Sequence, residues 1–136
     1  MAKESGLGMS VTIDDASASG RDISNDITNL SFSTPRGVQD VTGVDKSAME
    51  RLLLLADFSI DLSGVFNDAA NKSHDVFKTV PSTSVARTVA LVHSGQTLSN
   101  ECLFTDYSLT RAQSGELTWS APGVLSDGTV PTWATV

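Results

Sequence analysis

The segment FSIDLSGVFND, residues 58–68, gives the clearest structural signal in this 136-residue sequence. Phe58, Ile60 and Leu62 alternate with polar residues, and a period of two predicts a β-strand with one buried and one solvated face. Gly64 interrupts the alternation and predicts a point where the strand bends away from its sheet. The strand is ordinary scaffold unless its polar face contacts a specific partner.

Short alternating runs of the same kind follow one another along the chain, and serine or threonine occupies many of their polar positions. This composition is typical of the exposed faces of β-sheets. The pattern predicts strands near residues 9–13, 27–34, 85–93, 102–109 and 116–121, with turns at 94–95, 113–115 and 127–128. The predicted fold class is mainly β: a single-domain β-sandwich or partly closed barrel, residues 1–136, with one packed α-helix.

Residues 47–56 are predicted to form that helix. Ser47 and Glu50 fit a capping box, in which each side chain satisfies a backbone amide at the helix start. The apolar helical face would comprise Met49, Leu52, Leu53 and Ala56. A shorter helix is predicted between Ser73, a suitable N-cap, and Pro81.

Two segments show neither the helical nor the strand period. Residues 1–10 contain two glycines and are predicted to be a mobile N-terminal arm. Residues 35–46 contain one proline and two glycines and are predicted to be a long loop. Loops of that length inside a compact domain tend to be functional or disordered, so this segment is a candidate contact region.

The charge of the chain argues against binding to nucleic acid or to membranes. Sixteen acidic and nine basic residues give a net charge of −7 and a pI near 4.5. An acidic surface repels phosphate groups and anionic lipids. The N-terminus has no apolar core of signal-peptide length, and no apolar run approaches the roughly 20 residues of a membrane span. We therefore expect a protein that is made in the cytoplasm.

No catalytic constellation is evident in the sequence. His74 and His93 are the two histidines, and neither lies in a nucleophile-elbow pattern. Cys102 is the single cysteine, which excludes an internal disulfide and a cysteine-rich zinc site. The carboxylates do not match a calcium-binding loop, and no glycine-rich phosphate-binding motif occurs. The sequence predicts no enzyme activity, no cofactor and no metal site.

The order of segments along the chain resembles the major tail tube protein of long-tailed, non-contractile bacteriophages. The resemblance extends from about residue 6 to residue 133, and it rests on the succession of segments rather than on any single motif. The segments are DISNDITNLSF (22–32), RGVQDVTGVDKSAMERL (36–52), FSIDLSGVFND (58–68), SHDVFKTV (73–80), RTVALV (87–92), DYSLTRAQSGELTWSAP (106–122) and DGTVPTW (127–133).

This resemblance implies a structural subunit of the virion tail that assembles into hexameric rings. The rings would stack head to tail into a hollow tube, with one sheet of each subunit contributing to a continuous barrel around the lumen. The implied partners are other copies of the chain, a tape measure protein, and tail tip (initiator) and terminator proteins. DNA would pass through the tube without specific binding.

The resemblance also implies where neighbouring rings meet. The arm, the loop at 35–46 and the C-terminal segment 131–136 become the candidate stacking elements. The candidate inter-ring residues are Met9, Pro35, Arg36, Val38, Val41, Val44 and Trp133. The candidate lumen-facing residues are acidic and lie on or beside predicted strands: Asp61, Asp106 and Glu116.

Two other functions stay open at this point. A capsid decoration protein would share the composition but would form trimers on a lattice. A carbohydrate-binding or adhesion module would need aromatic side chains on one sheet face, and Tyr107 and Trp119 are the credible pair. The alternation of Trp119 with Thr118 and Ser120 indicates a core position instead.

Overall fold

The computed structural model describes residues 3–135 and is built mainly of β-strands. A single α-helix is found in this range, and one turn of 3-10 helix spans Ser24–Asp26. The strands are β1 (Ser10–Asp14), β2 (Gly20–Asp22), β3 (Ile27–Ser33), β4 (Arg36–Asp40), β5 (Arg51–Ala56), β6 (Ser59–Val65), β7 (Arg87–His93), β8 (Gln96–Phe104), β9 (Ser108–Arg111), β10 (Leu117–Leu125) and β11 (Trp133–Thr135). Helix α1 spans Ser73–Phe77. The predicted mainly β class with one helix is confirmed.

Nine strands form one antiparallel sheet that consists of two half-sheets. The first half has the order β2–β1–β7–β8, with β11 paired to the start of β8. The second half has the order β9–β10–β6–β3. The halves join where three residues at the end of β10 pair with the end of β8, as Gly123 does with Phe104. Because buried side chains from both halves belong to one core, the sheet folds over on itself.

The segment at 58–68 forms the central strand β6 of the second half-sheet, as predicted. Ile60 and Leu62 are buried in the core, whereas Asp61 is exposed. Gly64 does not bend the strand away, since β6 continues to Val65 and Gly64 pairs with Trp119. The irregularity lies opposite, as a register shift in β3 between residues 27 and 29.

The predicted helix at 47–56 is wrong. Residues Arg51–Ala56 are strand β5, which pairs with β4 to make a separate two-stranded sheet. Arg36–Asp40, part of the predicted loop at 35–46, is strand β4. Four consecutive leucines at 52–55 fit a helical face and a strand equally well, and an available partner strand decides between them. The amide of Glu50 donates to the Thr42 hydroxyl at 2.7 Å, so the predicted capping box is not formed.

The helix that does form is the short one that begins at Ser73, and buried polar groups hold it at both ends. The carboxylate of Asp26, 1% exposed, accepts hydrogen bonds from the Ser73 amide at 3.0 Å and the Asn67 side chain at 2.8 Å. Arg87, 2% exposed, donates to the Val76 carbonyl in the last turn at 2.8 Å. Burial lowers the pKa of the Arg87 guanidinium, and the nearby carboxylates oppose that shift. Helix position is therefore fixed by contacts with distant parts of the chain.

The turn between β1 and β2 contains a carboxylate with a strongly shifted pKa. Asp15 accepts hydrogen bonds from the Ser17 hydroxyl at 2.7 Å and from the amides of Ser17 and Ser19, and it pairs with Arg21 at 3.0 Å. The Ser17 hydroxyl, followed by the other donors, lowers the pKa of Asp15 to about 2, although partial burial opposes the shift.

This shift predicts a pH-dependent stability. Because the pKa of Asp15 is lower in the folded than in the unfolded chain, the stabilisation is present above about pH 4 and is lost as the pH falls toward about 2. After allowance for solvent screening, we expect Asp15→Asn to lower the free energy of unfolding by about 1–2 kcal/mol at neutral pH. Urea titrations of both proteins at neutral pH and near pH 2.5 measure the difference, which should shrink in acid. Asp68→Asn, at an exposed position, is the control, and a pH-independent difference for Asp15→Asn would contradict the assignment.

Candidate assembly surfaces

The β4–β5 hairpin exposes an unusual amount of apolar surface. Its two strands pair only with each other, and every residue from 33 to 55 is exposed except the half-buried Thr42. The exposed fractions of the four leucines are 55% for Leu52, 61% for Leu53, 45% for Leu54 and 90% for Leu55. Val38, Val41, Val44 and Met49 are also exposed. Soluble monomers rarely expose so contiguous an apolar segment, so the hairpin has the character of an interface.

The loop that closes the hairpin, residues 41–50, is ordered by polar contacts. Thr42 donates its amide and its hydroxyl to the Asp40 carboxylate at 2.9 and 2.7 Å. The Thr42 hydroxyl also accepts from the Glu50 amide, and the Val41 amide donates to the Glu50 carbonyl at 2.9 Å. The hydrogen bond from the Thr42 hydroxyl is the main cause that lowers the pKa of Asp40. The isolated chain therefore presents a formed hairpin.

A second surface is the outer face of the half-sheet β9–β10–β6–β3, which we call the hydroxyl face. Strand register aligns Ser108, Ser120, Ser63 and Asn29 in one row across the four strands. The neighbouring positions on the same face are Thr110, Thr118, Ser31, Ser33, Ser59 and Asp61, with Val65, Pro122 and Val124 as its apolar members. No lysine or arginine of these four strands lies on this face within the part of the chain that the structure describes.

The same half-sheet ends in two edges. β3 pairs with β6 alone, and β9 pairs with β10 alone, so the outer backbone of each lacks a strand partner among residues 3–135. An unpaired strand edge is a template for pairing with another chain unless something covers it. The hydroxyl face is thus bounded by two edges that can accept further strands.

The predicted lumen residues occupy different parts of this half-sheet. Asp61 lies at the middle of β6, on the hydroxyl face and exposed. Asp106 lies in the connection before β9, where its carboxylate accepts from the Tyr107 amide at 2.9 Å. Glu116 lies in the turn before β10, and a hydrogen bond from Ser114 lowers the pKa of its carboxyl. Asp106 and Glu116 each lie two residues before a hydroxyl-face position, Ser108 and Thr118 respectively. Both acidic residues, however, lie outside the strands.

The predicted contact residues fall into two groups. Five belong to the hairpin and are exposed: Pro35, Arg36, Val38, Val41 and Val44. The other two, Met9 and Trp133, lie elsewhere on the body. Trp133 begins β11, is 49% exposed, and lies against Phe32 with ring centroids 6.1 Å apart. The C-terminal segment through Thr135 is therefore a strand of the chain's own sheet, and Val136 lies outside the described residues.

Met9 and Trp133 line a groove of about 560 Å³ beside the N-terminal arm. Its other lining residues are Glu4, Phe32, His93, Ser94 and Gln96. Within the predicted arm, the His93 side chain contacts the Ser5 carbonyl at 2.6 Å, and Met9 packs against the core. Residues 1 and 2 of the arm lie outside the described residues.

The leucines at 52–55 were missed as contact residues, because sequence reasoning placed them on a helix. The sequence does contain a signal for such contacts. Four consecutive leucines expose apolar side chains on more than one face, whether they form a helix or a strand, and they lie close to a predicted functional loop. The structure also shows where Trp119 lies, which is one of the two aromatic residues considered for sugar binding. Trp119 is buried and donates its indole N–H to the Val65 carbonyl at 2.8 Å, which is a core arrangement.

Residues 3–135 contain no group of three or more histidine, cysteine, aspartate or glutamate side chains that could hold a metal ion. His74 contacts the Tyr107 hydroxyl at 3.2 Å. Burial raises the pKa of the Cys102 thiol to about 12, so this cysteine is unreactive at neutral pH. No helix in the described range is long and apolar enough to cross a membrane.

The fold is a folded-over antiparallel sheet with a free hairpin, and similar folds occur among solved structures. One similar chain comes from the tail of an empty gene transfer agent (GTA) particle, computed by helical refinement with C6 symmetry. Its TM-score is 0.76 at 16% sequence identity, over 98% of this chain and 99% of that chain. A chain from the virion of a native GTA particle has a TM-score of 0.73 at 16% identity, with the same coverage of both chains.

The likeness therefore extends over the whole of both chains, and at this identity it establishes the fold. No protein-family model matches the sequence. No curated protein sequence matches it.

Proposed function

We propose that the chain is a structural subunit of a phage-type tail tube, in which hexameric rings stack into a conduit for DNA delivery. The observation that carries this proposal is the exposed apolar hairpin, which a body of this size leaves uncovered and which a second subunit would bury. The whole-chain fold likeness to a chain of a C6-symmetric GTA tail supports the same arrangement. The proposed location is the virion tail, after synthesis in the host cytoplasm.

The two free edges of the half-sheet supply a route to ring closure. If the β9 edge of one copy pairs with the β3 edge of the next, the half-sheets continue into one another around the ring. Such a head-to-tail interface forms a closed ring when a whole number of rotations between neighbouring copies adds up to 360°. In the closed ring, neither the β3 edge nor the β9 edge of any copy stays unpaired. The hydroxyl face then becomes one surface of a closed barrel.

We assign the hydroxyl face to the lumen. Its short hydroxyl side chains and its lack of basic residues give DNA no charged group to bind. Asp61 adds negative charge that repels phosphate, so a DNA molecule would slide rather than adhere. The role needs no catalytic residue, cofactor or metal. The proposed partners at the tube ends and inside it are initiator (tip), terminator and tape measure proteins.

Electron microscopy of the purified chain tests the proposal. Negative-stain images are expected to show rings or tubes at high protein concentration or with a tail initiator complex. Mass measurement separates the alternatives, because a stable trimer that never forms tubes would favour a capsid decoration protein. A chain that stays monomeric under both conditions and binds a glycan would favour an adhesion module.

The charge of the proposed lumen gives a separate prediction. Replacement of Asp61, Asp106 and Glu116 by lysine should leave tubes intact but create a lumen that retains DNA, because basic residues neutralise phosphates. We expect short duplexes to become nuclease-protected in tubes of the variant at low salt and to be released as salt is raised.

The control is a triple lysine variant at Asp22, Asp68 and Asp127, which are exposed; it has the same net charge but lies outside the hydroxyl face and outside the candidate stacking elements. DNA bound to that variant should remain open to nuclease. Equal protection by both variants, or none by the first, would contradict the assignment of the lumen.

A further inference from the structure

The N-terminal arm lies beside the outer edge of β3, which pairs with β6 alone. Glu4 shares the groove of about 560 Å³ with Phe32 of β3. Gly6 shares a second groove, of about 300 Å³, with the N-terminal half of β3. Met9 lines both grooves, so they adjoin. Residues 4–8, which we call the strap, therefore run along the open side of the folded-over sheet.

A histidine of the body holds the strap. His93 ends β7 and is half-buried, and its Nε2 lies 2.6 Å from the Ser5 carbonyl oxygen. A carbonyl oxygen can only accept, so Nε2 donates, and in the neutral ring Nδ1 is then an acceptor. Nδ1 is buried and has no hydrogen-bond partner among residues 3–135. A buried polar atom without a partner costs free energy, which offsets part of the stabilisation from the Ser5 bond.

The rest of the strap is loosely packed. Residues 4–8 are all exposed, and Leu7 is 85% exposed. No atom lies within 4 Å of a Cβ built at Gly6 or Gly8. Gly8 has a φ of +85°, in the left-handed region that favours glycine, and glycine adopts other conformations as readily. The strap can therefore rotate about Gly8, once the His93 bond breaks, without repacking the core.

The strap lies where a strand added to β3 would place its side chains. Every second side chain of such a strand would project on the inner face, beside Leu30 and Phe32, which each line one of the two grooves. In β9 the inner-face residues are Leu109, which lies opposite the buried Trp119 and is 44% exposed, and Arg111. Both side chains are large, and they would enter the grooves along which the strap runs.

We propose that the strap inhibits assembly of its own chain: held by His93, it blocks the pairing of β9 from another copy with β3, and it swings out about Gly8 as a ring closes. This inference rests on the proposed tail tube and on the proposed closure of its rings through β9 and β3. The strap restrains that closure alone, because it lies along β3 and leaves the exposed β4–β5 hairpin free. A neighbouring copy must displace the strap before the two half-sheets join.

A spin label on the strap tests whether His93 holds it. A nitroxide is attached to Gly6→Cys, whereas the natural Cys102 is buried with an unreactive thiol and stays unlabelled. His93→Phe keeps an aromatic ring but loses the donor, and it should shorten the correlation time of the nitroxide by about twofold or more. His74→Phe is the matched control, because His74 contacts Tyr107 rather than the strap. Equal motion with and without His93 would overturn the proposal, whether or not tubes form.

A reversible lock tests whether the strap restrains ring closure. Ser5→Cys/Gln96→Cys places one thiol on the strap and one opposite His93, and a bis-maleimide linker that contains a disulfide joins them. The linked chain is expected to need about tenfold more protein to form rings, and reduction of the linker should restore the natural value. His93→Phe should form rings at about tenfold lower concentration, since one hydrogen bond no longer has to break.

The single variants Ser5→Cys and Gln96→Cys, each capped with a maleimide, are the controls for the lock. They carry the modification without the link and should assemble like the natural chain. Rings from the linked chain at the natural concentration would show that the strap does not inhibit closure. Rings from no variant and none from the natural chain would instead contradict the proposed function, and the inhibitory role would fall with it.

Discussion

Replacement of both Leu53 and Leu55 by aspartate is expected to abolish tube formation while the subunit remains folded. Leu55 is 90% exposed in the free subunit, and Leu53 is 61% exposed. Complete burial of a leucine contributes about 1.5–3 kcal/mol, so the loss of two such contacts amounts to about 4 kcal/mol per subunit. That figure corresponds to a rise of about a thousandfold in the protein concentration needed for assembly. Two desolvated carboxylates would increase the effect further.

The fold of the subunit should not depend on these two side chains. Exposed positions away from the core change the free energy of unfolding by about 0.5 kcal/mol or less. Thermal unfolding of the free variant is therefore expected within a few degrees of the natural chain. The matched control is Leu53→Met/Leu55→Met, which keeps both side chains apolar and should assemble. Tubes of normal length from the aspartate variant at ordinary concentration would exclude the hairpin from the interface.

Gly64→Ala is expected to be the most destabilising single-methyl change in the chain. A Cβ at this position would lie 1.9 Å from the Asp26 carbonyl oxygen and 3.0 Å from the Trp119 ring. Neither neighbour can yield easily, because Trp119 is buried and Asp26 belongs to the network that positions α1. We expect a loss of about 3 kcal/mol or more in the free energy of unfolding, which corresponds to a fall of about 10 °C in Tm.

Gly6→Ala is the matched control for this change. No atom lies within 4 Å of a Cβ built at Gly6, so the same added methyl group should leave the stability unchanged. Calorimetry of the two variants beside the natural chain measures the difference. A Gly64→Ala protein with the Tm of the control would mean that the turn at Asp26 moves away from β6 without energetic penalty, which is incompatible with their close approach.

Local patterns predicted the elements that depend on local interactions. Strand β6 follows directly from the alternation at 58–63, and a short helix follows from the signals between Ser73 and Pro81. The predicted cap is wrong, because Lys72 is the N-cap and Ser73 is the first residue of α1. The burial of Asp26 and Arg87 was not anticipated. Their partners lie far away in the sequence: the Asp26 carboxylate bonds to a residue 47 positions later, and Arg87 bonds to the Asp14 carbonyl 73 positions earlier. Such distant pairs cannot be recognised from a short stretch of sequence.

The hairpin shows a different limit of sequence reasoning. The sequence predicts residues 35–46 as a contact segment, and its five predicted contact residues are exposed, in the hairpin or directly before it. The leucine run at 52–55 also fits the helix that the sequence predicts, because a continuous apolar stretch has no period that distinguishes the two structures. Pairing with β4 decided the outcome. In the proposed tube, this exposed apolar strand would lie against other chains, which one sequence does not display.

In the proposed tube, the ordered loop at the end of the hairpin has a consequence for when polymerisation would begin. Because Thr42 already fixes the loop through Asp40 and Glu50, little conformational entropy remains to be lost when the hairpin docks. A disordered contact segment would delay premature growth, but this one is ready to bind as soon as the chain folds. The restraint must then come from the mutual repulsion of acidic subunits, which dissolved ions weaken. Spontaneous nucleation of tubes should consequently accelerate with ionic strength, and an initiator that offsets the repulsion locally would determine where growth starts.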